Sequence, residues 1–281
     1  MTRVSLVVPV HAGIAPNHWR AALESVRAQT RPADEVVVVE DGPLTDDHHA
    51  ALADVGAELP LVRVVLPRNR GAGVANQAGL EAATGEWIAK ADADDVSLPQ
   101  RIGTQVEAAE RLGVDLLGAA MWEFDIEPEH PQRLRANPPD HVAIARRMRL
   151  NNPINHSTAF YRREVALAAG GYPRLRLMQD YDLFARMLVA GARMANLPEP
   201  LVLFRAGDGM RRRRATTGFL RREVDLQRRL LSYGVVGRAG ATRNLVVRGG
   251  FRLLPQPALR LTYDRVLSRR LEPRALGGRP S

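Results

Sequence analysis

The stretch GEWIAKADADDVSLPQR, residues 85–101, decides how this chain is read. Its first half contains EWIA, a short apolar run of the kind a buried strand makes. Its second half brings Asp92, Asp94 and Asp95 within four positions, directly after that run. Carboxylates crowded at the end of a strand repel one another, which raises the cost of keeping them ionised. A positive partner is expected there.

Three runs of the same character precede it: RVSLVVPV (3–10), DEVVVVED (34–41) and LVRVVLP (61–67). Between them lie segments with helical spacing. NHWRAALESVRAQT (17–30) puts Trp19, Leu23 and Val26 on one face, and DDHHAALADVGAE (46–58) and AGVANQAGLEAAT (72–84) follow the second and third runs. Strands alternating with helices of about ten residues predict βαβ units, a parallel sheet and helices on both of its sides. Ligands of such sheets bind outside the carboxyl ends of the strands. The polar residues that follow each strand are therefore the informative ones: His11, then Glu40 and Asp41, then Asn69 and Arg70, then the aspartates at 92–95. They are expected on one rim.

Beyond Val114 the pattern is mixed. VDLLGAAMWEF (114–124) reads as a strand and PPDHVAIARRMRL (138–150) as a helix. HSTAFYRREVALAAGGY (156–172) reads as a strand and then a helix closed by glycines, QDYDLFARMLVAG (179–191) as a helix, and LVLFR (201–205) as the last strand of the sheet. TTGFLRREVDLQRRLLSYG (216–234) and PALRLTYDRVLSRRL (257–271) read as amphipathic helices. The expected organisation is one α/β domain over 1–207, with halves at about 1–115 and 116–207, and an Arg-rich helical region over 208–281.

Composition narrows the function classes. With 281 residues, 45% hydrophobic and 25% charged, the chain is an ordinary globular one. No run approaches the roughly 18 apolar residues that span a bilayer, and MTRVSLVVPV enters a strand without the architecture of a signal peptide. The expected location is the cytoplasm. The chain has no cysteine, which excludes disulfides, cysteine nucleophiles and thiolate metal sites. Any metal would be held by oxygen or imidazole, and oxygen favours magnesium or manganese. The net charge of +9 is unevenly distributed: residues 201–281 carry 19 Arg and Lys against 5 Asp and Glu, and residues 1–200 carry 21 against 26. A neutral to acidic body has a basic tail.

The aspartate cluster admits three readings. A calcium loop would need acidic residues at alternate positions, then glycine and a distant Glu, and Val96, Ser97 and Pro99 break that pattern. A solvated loop is the plain alternative. A carboxylate pair at i and i+2 projecting from a strand end can also bind a hard cation that bridges phosphate oxygens, which answers the repulsion. The glycines near Gly71 invite a dinucleotide fingerprint, but G-x-G-x-x-G needs glycine where Asn76 stands.

The pieces VVPV, VVVVEDGP, NRGAGVANQAGL, KADADDVSLPQRI, NNPINHSTAFYRREV, GGYPRLRLMQDYDLFARML and NLPEPLVLFRAGDGM occur in an order and spacing that resembles the family 2 glycosyltransferases, over residues 3–215. The chain looks most like the bacterial exopolysaccharide subgroup of the amylovoran type. The resemblance implies a GT-A fold, Rossmann-like with a mostly parallel central sheet, a nucleotide-sugar donor with UDP favoured, a divalent Mn2+ or Mg2+ ion and inversion at the anomeric carbon. It implies that Asp92 meets the nucleotide and shares in the metal, that Asp94 coordinates the metal on the diphosphate, and that Asp95 orients its loop or caps a helix beginning near Leu98. Pro9, Val10 and His11 match the loop that lines the base, where His11 and Ala12 replace the family's usual aromatic and Asn. Glu40 stands where the family commonly reads the base with Asp. Asn76 lies on the helix that approaches the nucleotide, and Arg70 is a candidate for the phosphate contact or an ordinary exposed loop arginine.

An inverting transfer needs a base that takes the proton of the attacking hydroxyl. The resemblance assigns that role to Asp180 in MQDYDLFARM, with Gln179 in place of the family's preceding Glu; a residue at a helix start is also the ordinary place for a cap. Asp182 is the weaker candidate. Asn155 and His156 belong to the segment the family places beside the acceptor, a glycan or polyprenyl-linked glycan. Arg211 and Arg212, in the glycine-flanked FRAGDGMRRRR, suit a loop that closes on a diphosphate through bidentate contacts. The Arg-rich helices fit an anionic membrane surface or self-association equally. Two rivals remain. A nucleotidyltransferase would carry a basic, Gly-rich loop after the first strand, which PVHAGIAPNH lacks, and a nucleic-acid-binding protein, suggested by the basic tail, leaves the acidic rim unexplained.

Overall fold

The computed structural model describes residues 2–206, 219–253 and 269–270. The expected diphosphate loop at Arg211 and Arg212 and the expected helix at 257–271 lie outside the described residues, apart from the short strand at 269–270.

The first half follows the alternation of the sequence: β1 (Val4–Val10), α1 (Pro16–Arg27), β2 (Glu35–Asp41), α2 (Asp46–Gly56), β3 (Leu61–Leu66), α3 (Ala72–Ala82) and β4 (Trp87–Lys90). Strands β4, β1, β2 and β3 lie side by side and pair in parallel. Their carboxyl ends therefore share one edge. Successive side chains of a strand point to opposite faces. In β1, Val4, Leu6, Val8 and Val10 join one core cluster with Trp19, Leu23, Leu52 and Val55, while Val7 joins another with Val37, Val39 and Leu80. Helices α1 and α2 cover the first face and α3 the second, which is why β2 is buried at every residue.

The second half adds β5 (Val96–Ser97), α4 (Arg101–Leu112), β6 (Leu116–Phe124), β7 (Arg133–Arg135), α5 (His141–Met148), a 3-10 turn at His156–Thr158, β8 (Phe160–Arg162), α6 (Arg163–Ala168), α7 (Gln179–Val189) and β9 (Met194–Arg205). Strand β8 enters between β4 and β6, antiparallel to both, so the sheet is parallel on one side of β4 and mixed on the other. Trp87 of β4 and Phe160 of β8 stack across this junction with ring centroids 4.7 Å apart. Helices α8 (Phe219–Ser232) and α9 (Arg238–Leu253) follow, and β10 (Arg269–Arg270) pairs with β7 at the sheet's end.

Three differences from the sequence reading have physical causes. The last strand is not only LVLFR: β9 begins at Met194 and pairs with β6 in parallel through a register irregularity, so Pro198 and Pro200 sit where the ladder is already interrupted. The residues of α9 lack a continuous apolar stripe and contain three glycines, so the sequence concealed that helix. The glycines of NRGAGVANQAGL serve close packing. Gly71 has φ +86°, and a Cβ on Gly73 would lie 2.1 Å from the carbonyl oxygen of Pro173, so α3 starts against the segment that leads into α7.

Candidate active site

The rim formed by β1, β2 and β4 is built by tight backbone contacts. Asp41, at the end of β2, accepts the backbone N–H groups of Arg70 (2.6 Å) and Gly71 (2.9 Å), which fixes the loop after β3. His11 accepts the N–H of Gly13 at Nδ1 (2.9 Å), and His48 of α2 holds the carbonyl of Ile14 (2.9 Å) and the hydroxyl of Thr45 (2.7 Å). The loop after β1 is thus folded by two histidines. His48 carried no motif, and only the tertiary structure reveals its task.

The positive partner expected beside the aspartates is supplied by the protein's own cations. Lys90, the last residue of β4, is fully buried; its ammonium pairs with Asp92 (2.7 Å) and donates to the carbonyl of Ala91. Arg101, the first residue of α4, is 1% exposed. Its guanidinium donates to the carbonyl of Lys90 (2.5 Å), to Ser97 Oγ (3.0 Å) and to Gln105 Oε1 (3.1 Å). Burial alone would raise the Asp92 carboxyl, but Lys90 first, then His156 and Arg101, hold it down at about 2. Burial lowers the Arg101 guanidinium to about 10, against the pull of Asp92 and Asp95.

Asp95 behaves differently. It is buried, and burial followed by repulsion from Asp94 and Asp92 pushes its carboxyl well above the usual range. Its Oδ1 accepts the N–H of Arg205 at the end of β9 (2.9 Å), and Arg205 Nε donates to the carbonyl of Asp94 (3.2 Å). The expected helix cap is corrected here: α4 begins at Arg101 with Gln100 before it, and Asp95 instead ties the acidic loop to β9. Asp94 stays half-exposed at the rim between these two anchored neighbours.

Opposite the aspartates stands the start of α7. Asp180 is half-buried, and its Oδ2 accepts a hydrogen bond from Asn152 Nδ2 (2.7 Å). Met178, which precedes this helix, has φ 63°, the left-handed region that non-glycine residues avoid. Among the described residues it is the non-glycine residue with positive φ. His156 feels both acidic groups: burial and then Lys90 lower its imidazole, while Asp180 and Asp92 oppose that shift. Its Nε2 meets the hydroxyl of Tyr172 (3.1 Å), which in turn meets the hydroxyl of Tyr161 (3.1 Å). Burial and then Tyr161 push the Tyr172 phenol far up, with Asp180 and Asp92 adding to the effect. Asp92, His156, Tyr172 and Asp180 come from four separate segments, and the imidazole and the phenol each feel both carboxylates.

Glu40 is buried and receives Nε and Nη2 of Arg63 (2.9 and 2.6 Å). Asn76 is buried, with Nδ2 on the carbonyl of Ala72 in its own helix (2.8 Å). Asn155 is buried and donates to the carbonyl of Ala119 (2.9 Å), bracing β6. Val10 is buried in the core, Pro9 is half-buried, Arg70 is exposed and Gln179 is buried at the first turn of α7. Asp182, fully buried, binds Arg186 (2.8 Å) and the hydroxyl of Tyr233 in the turn after α8 (3.0 Å), which makes it an anchor between α7 and α8. Asn152 was missed, although it stands in the quoted segment NNPINHST; the signal was there, but nothing in one sequence says which of its asparagines faces α7.

Residues 5–170 match the model of the glycosyl transferase family 2. The chain belongs to this family. It is a glycosyltransferase, and its mixed sheet with a mostly parallel centre and flanking helices is the GT-A architecture. It is 35% identical over 263 residues, 93% of this chain and 98% of the relative, to the amylovoran biosynthesis glycosyltransferase AmsE of Erwinia amylovora. It is 23% identical, over 95% of this chain and 97% of the relative, to the UDP-Gal:alpha-D-GlcNAc-diphosphoundecaprenol beta-1,3-galactosyltransferase of Escherichia coli. Among solved structures, S. aureus TarS 1–349 in complex with UDP-GlcNAc superposes with a TM-score of 0.69 at 18% identity, covering 92% of this chain and 78% of that one. The mannosyltransferase PcManGT from Pyrobaculum calidifontis, in complex with GDP-Man and Mn2+, gives 0.62 at 19% identity, covering 92% of this chain and 78% of that one. These low-identity likenesses establish the fold.

Proposed function

We propose that this glycosyltransferase moves a sugar, with inversion, from a nucleotide-diphosphate donor to a glycan or polyprenyl-linked glycan in the synthesis of a cell-surface polysaccharide. The observation that carries this reading is that the segment 152–159 joins the two carboxylates' elements: the N–H of Lys90, at the end of the strand that leads to Asp92, donates to the carbonyl of Ala159 (2.9 Å), and Asn152 donates to Asp180 at the start of α7 (2.7 Å). One carboxylate belongs to the edge where a parallel sheet receives nucleotides; the other belongs to the acceptor half. In this reading about 1–115 hold the donor and about 116–207 the acceptor, with 208–281 as an appended basic region.

Asp94, half-exposed and hard in its donor chemistry, is the residue that fits a divalent cation, with Asp92 beside it. No group of three or more His, Asp or Glu able to hold a metal occurs among the described residues, so the diphosphate and water would complete the coordination. A bound Mg2+ or Mn2+ would supply positive charge against the leaving diphosphate. Asp180 takes the proton of the acceptor hydroxyl, the oxygen joins the anomeric carbon, and the bond to the diphosphate breaks with its electron pair on the diphosphate. His11 with Pro9 borders the base, with Val10 buried behind them, and a UDP-sugar is the favoured donor, in keeping with the relative that uses UDP-Gal.

The acceptor class has the same support, since that relative acts on a diphosphoundecaprenol-linked sugar. No helix among the described residues is long and apolar enough to cross a membrane. Arginines and exposed apolar residues share α8 and α9, as with Arg228 beside Leu231, which suits peripheral contact with an anionic inner leaflet. The test is a thermal-shift and hydrolysis screen of UDP-, GDP- and dTDP-sugars with and without manganese. A metal-dependent shift with one nucleotide is expected; no shift with any of them overturns the proposal.

A further inference from the structure

The segment Met148–Asn152 is held from two sides. From α7, the hydroxyl of Tyr181 donates to the carbonyl of Met148 (2.5 Å). From α9, Asn244 Nδ2 donates to the carbonyl of Arg149 (2.8 Å), and Arg248 Nη1 reaches the carbonyl of Leu150 (3.4 Å). Behind these contacts is a buried polar chain. Arg248 pairs with Glu223 (3.1 Å), Gln227 Nε2 donates to Glu223 Oε1 (2.9 Å), and Asn244 Nδ2 donates to Gln227 Oε1 (3.1 Å). Glu223, Gln227 and Asn244 are all buried between α8 and α9. Buried polar groups paired in this way hold the two helices in one arrangement.

The segment so fixed ends on Asn152. Its Oδ1 accepts the N–H of Ile154 (3.1 Å), which settles the orientation of the amide, and its Nδ2 therefore points a donor at Asp180 Oδ2 (2.7 Å). A carboxylate with one oxygen bound in this way cannot swing, and its other oxygen is the one left to meet a substrate. Asn152 is half-exposed.

Resting on the reading of Asp180 as the base, we propose that Asn152 is the positioning residue of the transfer. It holds Oδ2 so that Oδ1 receives the acceptor's proton, and the α8–α9 hairpin holds Asn152. The proton moves from the acceptor hydroxyl to Oδ1, the freed oxygen forms the bond to the anomeric carbon, and the diphosphate leaves with the electrons of the broken bond. A displacement of about 1 Å at such a group costs on the order of 100-fold in rate.

The experiment uses the full chain and follows UDP release from UDP-galactose and UDP-N-acetylglucosamine, with water and with a polyprenyl-diphosphate-linked N-acetylglucosamine as acceptors. UDP affinity and thermal unfolding are measured on the same samples. Asn152→Ala is expected to lower kcat about 10- to 100-fold, with the donor KM, UDP affinity and Tm unchanged. Asn152→Asp, which has the same shape but repels Asp180, is expected to be slower still, and Asn152→Ser, which keeps a donor, to recover part of the rate. Asn244→Leu is expected to lower kcat less than Asn152→Ala does. The proposal is overturned if Asn152→Ala keeps the wild-type kcat while Asp180→Asn is inactive, or if Asn152→Ala loses kcat, UDP affinity and Tm together. If Asp180→Asn keeps the wild-type rate, or the wild type releases no UDP, the reading of the base fails first.

Discussion

Lys90 and Asp92 form an ion pair 2.7 Å long in which the lysine side chain is 1% exposed and the carboxylate 34%. The cation enters the acidic loop from the strand itself, two residues before the first aspartate. It keeps Asp92 ionised at the rim.

Replacing that cation should expose the repulsion it offsets. Lys90→Met leaves Asp92 without its partner, although water can reach the carboxylate. A loss of about 1–3 kcal/mol in urea unfolding is expected, below the figure for a fully buried pair. The deficit should shrink when manganese and UDP are added. An unchanged midpoint would mean that the pair contributes nothing to the fold.

Asp94 should show the opposite balance. Its charge helps push Asp95 up, so Asp94→Asn removes a repulsion. Stability is expected to stay within about 0.5 kcal/mol of the wild type or rise slightly. The stabilisation by UDP and manganese, about 2.7 kcal/mol at a hundredfold excess over Kd, should largely vanish. Retention of the metal-dependent shift would remove Asp94 from the cation site.

Arg101 is a fork, and lysine cannot reproduce it. Arg101→Lys keeps the charge but cannot serve the carbonyl of Lys90, Ser97 Oγ and Gln105 Oε1 together. A cost of about 2–3 kcal/mol is expected from the buried groups left without donors. Chemical denaturation of the two proteins measures it directly.

His156 should give stability a pH dependence of a definite sign. Its folded imidazole is lowered below 6.5 by burial and Lys90, against Asp180 and Asp92. Between that lowered value and 6.5 the unfolded chain binds a proton that the folded chain does not. Stability from this residue is therefore present above pH 6.5 and lost as pH falls, by at most about 1.4 kcal/mol per pH unit. Asp95, raised in the fold, works in the opposite direction and favours the folded state as pH falls. The difference between wild type and His156→Gln isolates the histidine, and a difference independent of pH between 5 and 7 would contradict the assignment.

The alternation of β-branched runs and helical segments in residues 3–97 was enough to specify the parallel half of the sheet, because a period of two and a period of 3.6 are local properties of a chain. The same alternation put His11, Asp41, Arg70 and Asp92 at one edge, since parallel strands end together. The acidic triplet was legible as a problem of charge, and Asp180 stood out as a candidate only through the family resemblance of its segment.

What the sequence could not contain was who answers whom. Lys90 lies two residues from Asp92, but its burial depends on β8 and α4 closing over it. Asp95 reads as a loop residue or cap until β9 brings the Arg205 amide to it, 110 positions along the chain. Asn152, Asn244 and His48 belong to no periodic pattern, and their tasks arise only where distant segments meet. Local spacing sets the elements, whereas the pairing of buried polar groups is a property of the packed molecule, because a donor's need for an acceptor becomes costly only once water has been excluded from both.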